Sequence, residues 1–198
     1  ETNLAHTQLQ IFARSAGFQE SVRANNPFRG ASTFFKNLPE IGEGARPNIP
    51  TFIKSARNVA IVAHDAGGAE QLVWLLKNLD CHIRAFLKGP AVKILVESGI
   101  QYESIDSFNQ LRGCDLVLTG SGWMSSLENR AIEECHSAQI TCVTVLDHWV
   151  NYRERFERTP KANPKMLLVT NNLALVQANQ LFPNNSIWLI PDFQIDWY

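Results

Sequence analysis

The stretch Asn58–Leu79, NVAIVAHDAGGAEQLVWLLKNL, limits the folds open to this chain more than any other. It begins with an apolar run, Val59-Ala60-Ile61-Val62-Ala63, which reads as a short buried strand. The run breaks at His64-Asp65-Ala66-Gly67-Gly68. Apolar residues return at helical spacing, with Leu72, Leu75, Leu76 and Leu79 on one stripe. Strand, tight turn and amphipathic helix form the opening unit of an open parallel α/β sheet. Such sheets bind ligands beyond the carboxyl ends of their strands. The turn His64–Glu70 is therefore a candidate wall of a site.

The same alternation continues to the end of the chain. Strands are expected at His82–Leu87, Asp115–Leu118, Ile140–Leu146, Met166–Val169 and Ser186–Ile190, with a further one starting at Ile100-Gln101-Tyr102. Helices are expected at Pro90–Glu97, Ser107–Leu111, Ser125–His136 and Asn172–Phe182. Pro90 suits a first turn, where its missing N–H costs nothing. Ser125 or Ser126, and Asn171 or Asn172, stand where N-caps belong, and Glu128 falls in a first turn. Strands separated by helices require right-handed crossovers. The expectation is a doubly wound, mostly parallel, Rossmann-like α/β domain of six to seven strands over residues 58–198.

Residues 1–57 differ. Leu4–Phe18 has partial helical periodicity, and turn formers dominate from Asn25 to Pro50. The segment carries seven Lys/Arg against four Asp/Glu, with Phe12, Phe18, Phe28, Phe34 and Phe35. It reads as a partly helical N-terminal arm that packs on the domain, on a partner chain or second copy, or on a further domain.

Composition excludes several classes. Hydrophobic residues make up 45% and charged ones 19%, which is globular. A net charge of −1 gives no support for broad nucleic-acid binding. No apolar run approaches the roughly 20 residues of a membrane helix. The N-terminus does not read as a signal peptide, so a cytoplasmic location is expected. The four cysteines, Cys81, Cys114, Cys135 and Cys142, form no CxxC pair and read as small buried hydrophobes. Neither metal nor cofactor is expected.

Three loops after strands concentrate the chemistry. In the first, Gly67 and Gly68 permit positive φ and close backbone approach to a ligand, and a helix N-terminus suits anions. The loop is neither GxGxxG nor a Walker loop, which disfavours a common dinucleotide site. His64 and Asp65 are costly in a plain turn unless hydrogen-bonded. The second loop, Thr119-Gly120-Ser121-Gly122-Trp123-Met124-Ser125-Ser126, offers Ser121 and backbone N–H groups to phosphate or sugar hydroxyls, or is a capped turn. The third, Val145–Phe156, crowds Asp147, His148, Asn151, Arg153 and Arg155 among Trp149, Tyr152 and Phe156. Arginine forks suit phosphate or carboxylate, and an Asp-His pair suits proton transfer. The alternative is an internal ion pair, Asp147 or Glu154 with Arg153 or Arg155, that fixes the loop.

The chain resembles a group of bacterial proteins found with surface-polysaccharide biosynthesis. The matches are HDxGGA at His64–Ala69, TGS at Thr119–Ser121 and LDHWxNYxxRF at Leu146–Phe156. More distantly, the layout is similar to the N-terminal Rossmann-like half of GT-B-type sugar enzymes, including glycosyltransferases and UDP-N-acetylglucosamine 2-epimerase. The resemblance implies a sugar-phosphate or nucleotide-sugar enzyme, or an enzyme half. His148, oriented by Asp147, would be the acid/base, with His64 the next choice. Asp65, Gly67, Gly68, Ser121, Asn151, Arg153 and Arg155 would line the ligand. Two other readings stay open: a non-catalytic nucleotide- or sugar-phosphate-binding module working with a partner chain, and a small hydrolase using Ser121 and His148.

Overall fold

The computed structural model describes residues 47–122, 124–147, 152, 154–157 and 163–191. The arm as far as residue 46, and His148, Asn151 and Arg153, lie outside the described residues. Within them the alternation is realised as a doubly wound α/β sheet. The strands are β1 (Asn58–Ala63), β2 (His82–Leu87), β3 (Glu103–Ser104), β4 (Leu116–Thr119), β5 (Cys142–Leu146), β6 (Met166–Val169) and β7 (Ser186–Leu189). The helices are α1 (Thr51–Lys54), α2 (Ala66–Lys77), α3 (Pro90–Glu97), α4 (Leu127–Ala138), α5 (Glu154–Glu157) and α6 (Asn172–Leu181). A 3-10 turn spans Phe108–Leu111, capped by Ser107.

The strand order is β3-β2-β1-β4-β5-β6-β7, and every pair is parallel. The order reverses between β1 and β4, so the crevice at their carboxyl ends is the switch point at which such sheets bind ligands. Alternate residues of each strand face opposite layers. Val59, Ile61, Leu116, Leu118, Val143 and Val145 pack with Leu72, Leu75 and Leu76 of α2 and Leu95 of α3. Ala60, Val62, Val117, Leu146 and Val169 pack with Ala131, Ile132 and Cys135 of α4 and Ala174 and Ala178 of α6. Ile49 and Ile53, just before β1, join the first layer, and the Asn48 N–H bonds to the Leu189 carbonyl at 3.1 Å. Asp115, ahead of β4, accepts from the N–H groups of Asn58 and Arg57, which hold its carboxyl below the ordinary range. All four cysteines are free thiols. Among the described residues no helix is long and apolar enough to cross a membrane.

Two strands start more than one residue away from expectation. The third strand starts not at Ile100 but three residues later, as the exposed pair Glu103–Ser104, which pairs with Arg84 and Ala85 of β2. Ile100 and Tyr102 instead pack against the first core layer from the preceding loop. The fifth strand starts at Cys142 rather than Ile140 because Ile140 still belongs to the end of α4. Gln139 turns left-handed at φ 57°, and the Ile140 N–H reaches back to the Cys135 carbonyl at 2.9 Å.

Candidate functional site

The turn after β1 carries His64 and Asp65 to the crevice. Asp65 occupies the N-cap position of α2, but its carboxylate does not cap the helix. It takes the His64 ring instead, with Nδ1 2.6 Å from Oδ1. Both side chains are partly exposed. This arrangement resolves the cost of placing two polar groups in a tight turn, since each is the other's partner.

The imidazole is set by a neighbouring glycine. Gly89, between β2 and α3, has φ 55° and ψ −144°. A Cβ there would stand 2.7 Å from His64 Nε2. Gly89→Ala is expected to cost about 1–3 kcal/mol in backbone strain and to displace the imidazole. Urea unfolding measures the first effect, and the His64 ring resonances measure the second.

The other glycines at this edge act through space rather than backbone conformation. Gly67, Gly68, Gly120 and Gly122 do not take positive φ, contrary to the expectation for the first pair. Their missing side chains let the loops meet. A Cβ on Gly68 would lie 3.0 Å from Gly120 Cα, so the two strand-to-helix turns pack backbone to backbone. A Cβ on Gly67 would overlap Asp147 Oδ2. The Asp147 carboxylate therefore stands against the first turn of α2, where the helix dipole favours negative charge.

Asp147 is held from its other side by Arg155. Arg155 Nη1 donates to Asp147 Oδ1 at 2.5 Å, to Ser121 Oγ at 2.7 Å and to the Ser121 carbonyl at 3.0 Å. Ser121 Oγ donates to Asp147 Oδ1 at 3.1 Å. The ion pair of Asp147 with Arg155 is thus present and fixes both loops. Asn129 of α4 donates to the Arg155 carbonyl at 3.0 Å. Below, the Thr119 and Thr144 hydroxyls bond at 2.8 Å between paired β4 and β5. Tyr152 and Phe156 pack on Phe182, with ring centroids 6.3 and 5.9 Å away. Burial raises the Tyr152 phenol, whose oxygen has no hydrogen-bond partner among the described residues.

Of the residues singled out in the sequence, His64, Asp65, Gly67, Gly68, Ser121, Asp147 and Arg155 come together at this edge. One further residue joins them. Glu128, in the first turn of α4, is only 1% exposed, and its Oε1 accepts the His64 N–H at 2.7 Å. Burial is the main cause that pushes its carboxyl up to about 7. A first-turn glutamate matches the ordinary preference of a helix N-terminus, so nothing in its local sequence marked it. Among the described residues no group of His, Cys, Asp and Glu has a geometry that could hold a metal ion. No protein-family model, curated protein or solved structure matches the chain.

Proposed function

We propose that the protein is an enzyme, or the acid–base half of one, acting on a sugar phosphate or nucleotide sugar. The observation that carries this reading is the meeting of the His64–Asp65 pair with the Gly120–Gly122 turn and Asp147 at the sheet's switch point. An imidazole held by a carboxylate through Nδ1 exchanges protons through its other nitrogen. Sugar chemistry requires such exchange at hydroxyl and ring positions. Asp147 stands against the first turn of α2 and is paired with Arg155, so among the described residues this part of the crevice offers an anion no free cation and suits the neutral sugar portion. We assign the anionic end of the ligand to Asn151 and Arg153, and an acid–base role to His148 in addition to His64. The surface-polysaccharide setting rests on the HDxGGA and LDHWxNYxxRF resemblance.

The test is a thermal-shift panel of nucleotides, sugar phosphates and nucleotide sugars. A ligand at about 100 times its Kd adds about 2.7 kcal/mol, which raises Tm by roughly 5–10 °C for a chain of this size. His64→Ala should keep most of that shift and lose turnover of the same compound. A panel in which no member moves Tm refutes the reading. A shift without turnover in the unsubstituted chain leaves a binding module instead.

A further inference from the structure

We propose that Glu128 is a positioning residue of this site: one carboxyl oxygen fixes the turn that carries His64, and its charge is coupled to the Asp65 carboxylate beside it. The inference rests on His64–Asp65 being the acid–base pair.

Glutamates are almost never fully buried unless paired, yet Glu128 is 1% exposed with no cation bonded to it among the described residues. Its Oε1 takes the His64 N–H at 2.7 Å, a bond between residues 64 positions apart that ties the turn after β1 to the start of α4. Its Oε2 is buried with no hydrogen-bond partner among the described residues. An ionised carboxylate in that position carries a burial penalty that its N–H donors offset only in part, and the neutral acid carries less.

Gly122 brings the second carboxylate close. A Cβ at that position would lie 2.7 Å from Asp65 Oδ2 and 3.0 Å from Glu128 Oε1. The two oxygens are therefore no further apart than the sum of those distances. No side chain on Gly122 separates them. Among the described residues the titratable groups that act on Glu128 are Asp65 and His64, both from the turn after β1. The other charged pair at this edge, Asp147 and Arg155, is bonded to itself. Burial raises Glu128 most, the Asp65 charge raises it further, and its own N–H, the His64 N–H and the His64 charge oppose this. Coupling of this kind is reciprocal. While Glu128 is neutral, Asp65 supplies the negative charge bonded to the His64 ring. When it ionises, a second negative charge enters the pair's surroundings. The working pH of the pair is tied to Glu128.

The experiment is a carboxyl-carbon NMR titration of the full chain without ligand, with the Glu128 resonance assigned by its loss in E128Q. The expected midpoint is about 7. D65N should lower it by about one pH unit, because a like charge is removed. Should D65N fail to fold, H64A replaces it and should raise the midpoint, because an opposing charge is lost. A midpoint in the ordinary glutamate range overturns the proposal, as does one that neither substitution moves. A glutamate screened from Asp65 would be indifferent to its charge. Because the titration uses no ligand, an inert ligand panel sinks the enzymatic reading and leaves this coupling measurable. A flat titration beside a positive panel sinks only the coupling.

Discussion

Replacing Arg155 by methionine should lower the unfolding free energy by about 3 kcal/mol, near the lower end of the range for breaking a buried ion pair. Arg155 and Asp147 are 8% and 17% exposed at their side chains, so solvent screens the pair little. One guanidinium nitrogen serves three acceptors from two loops. Removing it leaves the Asp147 carboxylate half-stranded and deprives Ser121 of its strongest donor. Two features moderate the loss. Asp147 is partly exposed, and it stands against the positive end of α2. Against a typical total of about 5–15 kcal/mol, the deficit is large enough for urea unfolding to resolve. Arg155→Lys should recover only part of it, because an ammonium lacks the planar fork. Asp147→Asn should cost less than Arg155→Met, and the double substitution less than the sum. The coupling should lie within the roughly 0.5–3 kcal/mol seen for directly bonded residues. Additive losses would mean that the two side chains act independently, and the pair would no longer explain how the loops are joined.

The sheet was legible because its signals are local. Apolar runs of strand length alternate with helical stripes from Asn58 onward, and the turn residues fall between them. The third strand starts three residues later than its apolar residues suggest, because Ile100 and Tyr102 are apolar for a different reason: they cover the core from a loop. The site was half legible. Polar and glycine residues clustered after β1, β4 and β5 marked the edge where the loops meet. The role of the glycines was not visible, since Gly67 and Gly122 leave room for carboxylates distant in sequence, Asp147 and Asp65. Glu128 was hidden for the same reason. Its partner is a backbone N–H across the switch point, and no spacing rule relates residues 64 and 128.

Glu128→Gln should remove a pH dependence on the order of 3 kcal/mol. The glutamate carboxyl moves from an ordinary value of 4.5 to about 7 on folding, and each tenfold gain in proton affinity corresponds to about 1.4 kcal/mol. The folded state thus binds the proton more tightly than the unfolded chain. The stability linked to it is fully present below 4.5 and is lost as pH rises through about 7. Asp115 works in the opposite sense, since its lowered pKa gives stability that disappears only at more acid pH. It therefore does not blur this window. Glutamine is nearly isosteric and keeps a carbonyl oxygen for the His64 N–H, so the loop connection survives. Urea midpoints measured from about pH 5 to about pH 8 should fall more steeply for the unsubstituted chain than for E128Q, and the two curves should run parallel above that range. The variant should be the more stable protein at the alkaline end, where the native carboxylate is forced to ionise in a buried position. Equal slopes would mean that Glu128 titrates alike in the folded and unfolded chains. Burial would then impose no penalty on its charge, and the reason for regarding it as part of the site's proton inventory would be gone.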